Sequence, residues 1–178
     1  MDLIDIAQNI LRDCMGAKQG EEVLIVTDDS RVNIAQALYK GAVNLGCEAM
    51  MMVMKERELN GEEPPKAVAE AMKAADIVIC PTAKSLTHTN ARIRAAETGT
   101  RVATMPGITE KMFSQGAMTA DYAAVEQLTA RITGMLTASK TARIEKDGCV
   151  LTLNLDGRKG VPSPGVYRKP GQCGNLPS

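Results

Sequence analysis

Glu22-Val23-Leu24-Ile25-Val26-Thr27-Asp28-Asp29-Ser30 is the stretch on which the fold turns. Its four consecutive apolar residues, Val23 to Val26, are too few for a helix and lack the alternation of a half-solvated strand. They predict a strand buried on both faces, as in a parallel sheet. The run breaks at Asp28-Asp29-Ser30, where Asp29 or Ser30 can cap a helix that carries Val32, Ala35, Leu38, Tyr39, Ala42 and Val43 on one face and is closed by Gly46. Upstream, Leu3, Ile4, Ile6, Ala7, Ile10 and Leu11 recur at helical spacing before Gly16.

Downstream the cycle repeats. Cys47 to Met54 reads as a second strand with Met50, Met52 and Met54 on one side, and Pro64-Pro65 suits the first turn of a helix through Ala75. Asp76 to Cys80 is a third strand, stopped by Pro81. A hydroxyl-rich loop, Thr82 to Thr89, leads to a helix from about Asn90 to Thr98, and Arg101 to Met105 is a fourth strand. Strands alternating with helices imply right-handed crossovers and a mostly parallel α/β sheet, Rossmann-like or flavodoxin-like, with helices on both faces. Asp121 to Ala138 then reads as a long helix with Ala124, Val125, Leu128, Ile132 and Met135 or Leu136 inward. From Thr141 the pattern alternates, Ala142 and Ile144 and then, across Asp147-Gly148, Val150, Thr152 and Asn154, a β-hairpin. Residues 157–178 hold four prolines and five glycines without periodicity, so no element of their own is expected. The resulting division is 1–139 as the α/β domain and 140–178 as the hairpin and a Pro/Gly-rich lead-in to a truncated second domain.

Composition narrows the function. The 178 residues include 44% hydrophobic and only 2% aromatic side chains, so the core is built from Val, Ile, Leu, Met and Ala. Twenty-one basic and 21 acidic residues cancel, leaving no field that would favour nucleic acid or an anionic membrane surface. No apolar run is long enough to span a bilayer, and the acidic start Met1-Asp2-Leu3-Ile4-Asp5 is unlike a secretory signal. A cytoplasmic location is the expectation. The five cysteines stand far apart, without Cys-x-x-Cys or Cys/His spacing, and read as small buried hydrophobes.

In open α/β sheets ligands bind beyond the carboxyl ends of the strands. The loop after the first strand has neither of the glycine patterns that cradle a diphosphate. Asp28 and Asp29 could offer a carboxylate to a metal but equally serve as cap and turn residues. Ser85-Leu86-Thr87-His88-Thr89-Asn90, followed by Arg92 and Arg94, is the richest loop. His88, the single histidine, stands at a helix start where its imidazole can act as donor or base. The same residues are also good capping material, and both readings stay open.

Thr87-His88-Thr89-Asn90-Ala91-Arg92, Ala95 to Arg101 and Met105-Pro106-Gly107-Ile108, with Asp156-Gly157-Arg158 and Gly174-Asn175-Leu176-Pro177-Ser178, together resemble the amino-terminal domain of the aminopeptidase T/aminopeptidase S family of leucyl-aminopeptidase-like metallopeptidases. A related group, the ring-cleaving dihydroxypyridine dioxygenases, is similar in architecture and differs mainly in iron chemistry. The resemblance implies a hydrolase that removes N-terminal residues from peptides, with a dioxygenase as the alternative. It implies that the divalent metal, zinc, cobalt or iron, is held by a following domain, so that this chain is a fragment with no cofactor of its own. His88 would then face the cleft as the catalytic candidate, with Thr87 and Arg92 contacting a small peptide or small-molecule substrate. A non-catalytic ligand-binding module and a homodimer formed through the Pro/Gly tail remain alternatives.

Overall fold

The computed structural model describes residues 2–177. A helix α1 (Leu3–Asn9) continues as a π-helical turn (Ile10–Cys14) into β1 (Glu22–Asp28). A 3-10 turn (Asp29–Arg31) then leads to α2 (Val32–Asn44), β2 (Glu48–Met54), α3 (Lys66–Ala74), β3 (Ile77–Thr82), α4 (Asn90–Glu97) and β4 (Arg101–Pro106). After these come α5 (Glu110–Ser114), a 3-10 turn (Gly116–Thr119), α6 (Tyr122–Ala138), the strands β5 (Thr141–Lys146) and β6 (Cys149–Asn154), and a short β7 (Cys173–Asn175). Five strands form one parallel sheet in the order β2-β1-β3-β4-β7, and β5 pairs antiparallel with β6 alone. The expected α/β sheet is thus present, in the flavodoxin-like arrangement, and strand direction of build reverses between β1 and β3.

The chain folds as two compact units, Met1–Ala120 with Gly165–Ser178 and, separately, Asp121–Pro164. This differs from a division at residue 139. The tail is the main departure from the sequence expectation. Within residues 165–177 there is an element: β7 pairs with β4, and Val166, Tyr167 and Leu176 are buried. Three residues, one of them glycine, give no periodic signal, because a strand this short is held by its neighbours and not by its own pattern.

In the first unit, the central strands are buried on both sides. Leu24, Val26, Val78, Cys80 and Val102 meet Val68 and Met72 of α3 and Ala91 and Ala95 of α4 in one core layer. The alternate residues Val23, Ile25, Ile77, Ile79 and Ala103 are equally buried, and α1 packs with α2 over β1. The buried stripe of α2 is Ile34, Ala35, Ala37, Leu38, Gly41 and Ala42. Tyr39 and Val43, expected on that face, lie at its exposed border. Gly41 is needed where α1 crosses, since a Cβ there would sit 3.0 Å from the Ala7 Cβ and 3.1 Å from the Gln8 amide nitrogen. Along β2, Met54 is buried and Met52 packs on the core, whereas Met50 is exposed because this is an edge strand. Pro81 does not stop β3: the strand runs to Thr82, and the Pro81 carbonyl accepts a bond from the Thr27 hydroxyl at 2.8 Å.

At the opposite, amino-terminal edge, the nearly buried Arg101 donates to the Met15 and Gly16 carbonyls at 2.8 and 3.0 Å and pairs with Glu21. Its charge is consumed by this structural strut. Cys14 and Cys80 are buried, and burial pushes both thiols up to about 12, while Cys149 is exposed. Because the thiolate is the reactive form, a thiol reagent is expected to label Cys149 quickly and Cys14 and Cys80 only on unfolding. Mass spectrometry showing early labelling at Cys14 or Cys80 would contradict this packing.

In the second unit, α6 is capped by Asp121, whose carboxylate accepts from the Ala123 and Ala124 amides. Its expected inward residues are not covered: Leu128, Ile132, Met135 and Leu136 are all exposed among the described residues. Asp147 and Gly148 both have positive φ, 51° and 79°, the two-residue turn that matches hairpin twist.

Candidate functional site

The carboxyl-terminal edge of the sheet is where the backbone of β3 opens into the loop 83–89. Each end of that loop is fixed. The Asp28 carboxylate accepts from the Ser30 amide and hydroxyl at 3.1 and 2.6 Å and from the Ala83 amide at 2.5 Å. Asp28 is therefore cap and turn residue at once, and it ties the β1 loop to the β3 loop where the strand order reverses. The Thr82 hydroxyl donates to the Lys84 carbonyl. Ser85 exchanges bonds with the loop after β2, its amide donating to the Asn60 side-chain oxygen and its carbonyl accepting from the Gly61 amide, each at 2.8 Å. Leu86 anchors the loop in the core.

The start of α4 is capped twice. Thr89, fully buried, accepts from the Arg92 amide and donates to the Leu86 carbonyl. The Glu63 carboxylate accepts from the Asn90 amide at 2.6 Å and from the Ala91 amide at 3.1 Å. These two groups satisfy the first-turn donors, which leaves capping to Thr89 and Glu63 and not to His88. His88 is exposed in the turn between Thr87 and Thr89, and its imidazole has no bonding partner among the described residues.

Behind His88 lies a cluster of neutral polar side chains from three segments. The Thr87 hydroxyl is 2.8 Å from the Thr104 hydroxyl and 2.8 Å from the Asn175 side-chain oxygen. Thr104 donates to that same oxygen at 2.8 Å, and Ser85 donates to Thr87 at 2.9 Å. β3, β4 and β7 are thereby joined at one point. Arg92 braces the cluster from α4: Nε donates to the Thr87 carbonyl and Nη1 to the Cys173 sulfur, both at 2.7 Å. Arg94, by contrast, is on the exposed face of the helix.

The structure thus brings Thr87 and Arg92 together next to His88. Sequence reading missed Thr104, Asn175 and Cys173. Thr104 carries a signal, a polar residue near the end of the apolar run Val102-Ala103-Thr104-Met105, buried with a hydroxyl that must find a partner. Asn175 carries none, since its place depends on a strand invisible in the sequence. Chemically, the rim offers an unengaged imidazole able to take or give a proton, beside hydroxyl and amide groups that suit a small polar molecule. Among the described residues no three His, Cys, Asp or Glu side chains come together in a way that could hold a metal ion. Clefts of about 290 and 280 Å³ adjoin Asn33 and Glu110, and their linings include neither His88, Thr87 nor Arg92.

A flavodoxin-like five-stranded parallel sheet with a polar rim at its carboxyl edge defines the class, an α/β domain of the open-sheet kind. More narrowly, the model of the NicX family, 2,5-dihydroxypyridine 5,6-dioxygenase, matches residues 2–178, and the chain belongs to that family. No match is found among curated protein sequences. Among solved structures, a 2,5-dihydroxypyridine dioxygenase from Pseudomonas putida KT2440 is similar with a TM-score of 0.74 at 16% identity over 99% of this chain. AmpT from Thermus thermophilus is similar with a TM-score of 0.61 at 14% identity, also over 99%. At such identities the likeness is one of fold. The chain spans 53% of the length of the first and 59% of the second. The dioxygenase group, second choice on sequence, is the one the family match selects over the aminopeptidase.

Proposed function

We propose that this chain supplies the histidine-bearing wall of a ring-opening dioxygenase site that takes a dihydroxylated nitrogen heterocycle such as 2,5-dihydroxypyridine. The observation that carries the reading is the family match across residues 2–178. The geometry agrees with it in one respect: the only histidine has an unengaged imidazole on the strand-end rim. In this reading His88 accepts the proton of a ring hydroxyl, which raises the electron density of the ring before oxygen attack. Thr87 contacts the substrate through the same rim, and Arg92 keeps the Thr87–His88 turn in place. In this reading the iron that such chemistry needs would be held by residues other than those described, among which no three His, Cys, Asp or Glu side chains cluster.

In a protein of the relatives' length, His88→Gln is expected to lower kcat by about 100-fold with little change in KM, read from oxygen uptake and from loss of the heterocycle's absorbance. Unchanged kinetics would remove His88 from the reaction. Hydrolysis of aminoacyl chromogenic substrates in place of oxygen uptake would overturn the dioxygenase reading in favour of the aminopeptidase one.

A further inference from the structure

We propose that Asn60 and Glu63, in the loop between β2 and α3, are positioning residues that grip the chain on both sides of the Thr87–His88 turn and so set where the imidazole stands. The kinetic consequence rests on the role given to His88 above, whereas the structural one does not. Upstream of the turn the grip is on Ser85. Its amide donates to the Asn60 side-chain oxygen and its carbonyl accepts from the Gly61 amide, both at 2.8 Å, and such a reciprocal pair fixes a backbone as a strand ladder does. Downstream the grip is on the first residues of α4. One Glu63 oxygen accepts from the Asn90 amide at 2.6 Å and from the Asn90 side-chain nitrogen at 3.0 Å, and the other accepts from the Ala91 amide at 3.1 Å.

From Ser85 the tie passes directly to the turn, because the Ser85 Oγ accepts from the Thr87 amide at 3.2 Å and donates to the Thr87 hydroxyl at 2.9 Å. Alternate residues of the rim loop are thus held by different elements: Ala83 by Asp28, Ser85 by Asn60 and Gly61, and Thr87 by Thr104 and Asn175. His88 is exposed at the tip, so its position follows from the bonds of its neighbours. The Thr87 cluster ties the turn to the sheet from inside at one residue. The loop after β2 holds the chain on either side of that tie and stops it from pivoting.

The gripping loop is itself preformed. The Glu62 carboxylate accepts from the Glu58 and Leu59 amides at 2.7 and 3.3 Å and pairs with Arg57 at 3.5 Å. Gly61, at φ 83°, completes the turn in a conformation that favours glycine. Asn60 and Glu63 are exposed, so substitutions there release the grip without opening the core.

Backbone NMR relaxation of the isotope-labelled chain tests the grip. The His88 amide is expected to have an order parameter of about 0.85 in the unaltered chain and below about 0.6 when Asn60→Ala and Glu63→Ala are combined. Asn60→Asp keeps an acceptor for the Ser85 amide and should restore the order that Asn60→Ala loses. Thr100→Val removes hydroxyl bonds to the Met72 and Ala75 carbonyls at the amino-terminal edge of the sheet, and should lower stability while the His88 amide stays rigid. In a protein of the relatives' length, Asn60→Ala should lower kcat about tenfold with KM within about twofold, and Asn60→Asp should return it. A His88 amide that stays rigid in the double variant overturns the proposal. So does an equal loss of order in Thr100→Val, or a kcat untouched by Asn60→Ala in an enzyme that His88→Gln disables. Should His88→Gln leave turnover unchanged while the order parameters fall as expected, the reaction role of His88 fails and the grip stands.

Discussion

Asp28→Ala is expected to lower the free energy of unfolding by about 3 kcal/mol, and more than Asp28→Asn, in urea titrations of the chain. Asp28 is 1% exposed and its carboxylate accepts three bonds, from the Ser30 amide, the Ser30 hydroxyl and the Ala83 amide. Bonds to a charged acceptor are worth about 1.5–3 kcal/mol each. Truncation leaves the Ala83 amide and the Ser30 amide without an acceptor in a region with little room for water. Asparagine keeps one oxygen but turns an NH2 toward the remaining donor, so it recovers only part of the loss. The damage falls where strand order reverses, between the β1 and β3 loops. An effect below about 1 kcal/mol would mean that water replaces the carboxylate there.

Gly174→Val is expected to cost about 3 kcal/mol and to strip protection from the amides that β7 covers. A Cβ at Gly174 would meet the Tyr167 ring at 2.7 Å from Cζ and 2.8 Å from Cε1, and would collide with the hydroxyl as well. Tyr167 cannot simply move aside. It is 7% exposed, and its hydroxyl donates to the Asn175 carbonyl at 2.8 Å. The collision therefore pushes β7 off β4. Hydrogen exchange at the Val102 amide, which donates to the Gln172 carbonyl at 3.0 Å, should rise by the same free energy. Adding Tyr167→Ala should make the pair of substitutions less costly than their sum, because the ring is the obstacle. Strict additivity, or an unperturbed Val102 amide, would show that the valine is accommodated elsewhere.

The sequence carried β1 and β3 because each holds an unbroken apolar run, Val23 to Val26 and Ile77 to Cys80, the mark of burial on both faces, and it carried the half-exposed β2 and the threonine-interrupted β4 through their place in the alternation with helices. It carried the rim loop because Ser85 to Asn90 concentrates hydroxyls around a lone histidine. The order of strands was not legible, since neighbouring positions in a sheet are set by long-range packing and not by local pattern. β7 escaped for the same reason: Cys173-Gly174-Asn175 has no periodicity, and only the cover of Tyr167 and the edge of β4 make it a strand. The role of Asn175 was hidden with it. The α6 residues Leu128, Ile132 and Met135 carried a true helical stripe, but periodicity identifies an apolar face without identifying what covers it. In the hairpin, the turn at Asp147-Gly148 was legible, whereas the partners of Ile144 and Ala142 are Leu151 and Leu153, because the two-residue turn sets the register.

The bond from the Thr104 hydroxyl to the Asn175 side-chain oxygen closes a loop of 71 residues, at an entropic cost of about 4 kcal/mol. Contacts of that span form late, after the local β1–β3–β4 layer has condensed. Until then β4 is an open strand edge, the kind of template that recruits other chains. Maturation of the polar rim is therefore a terminal event in folding. A chain arrested one step earlier would show nearly native secondary structure while Thr87 and Thr104 still waited for Asn175, so recovery of far-UV ellipticity should run ahead of protection of the Val102 amide.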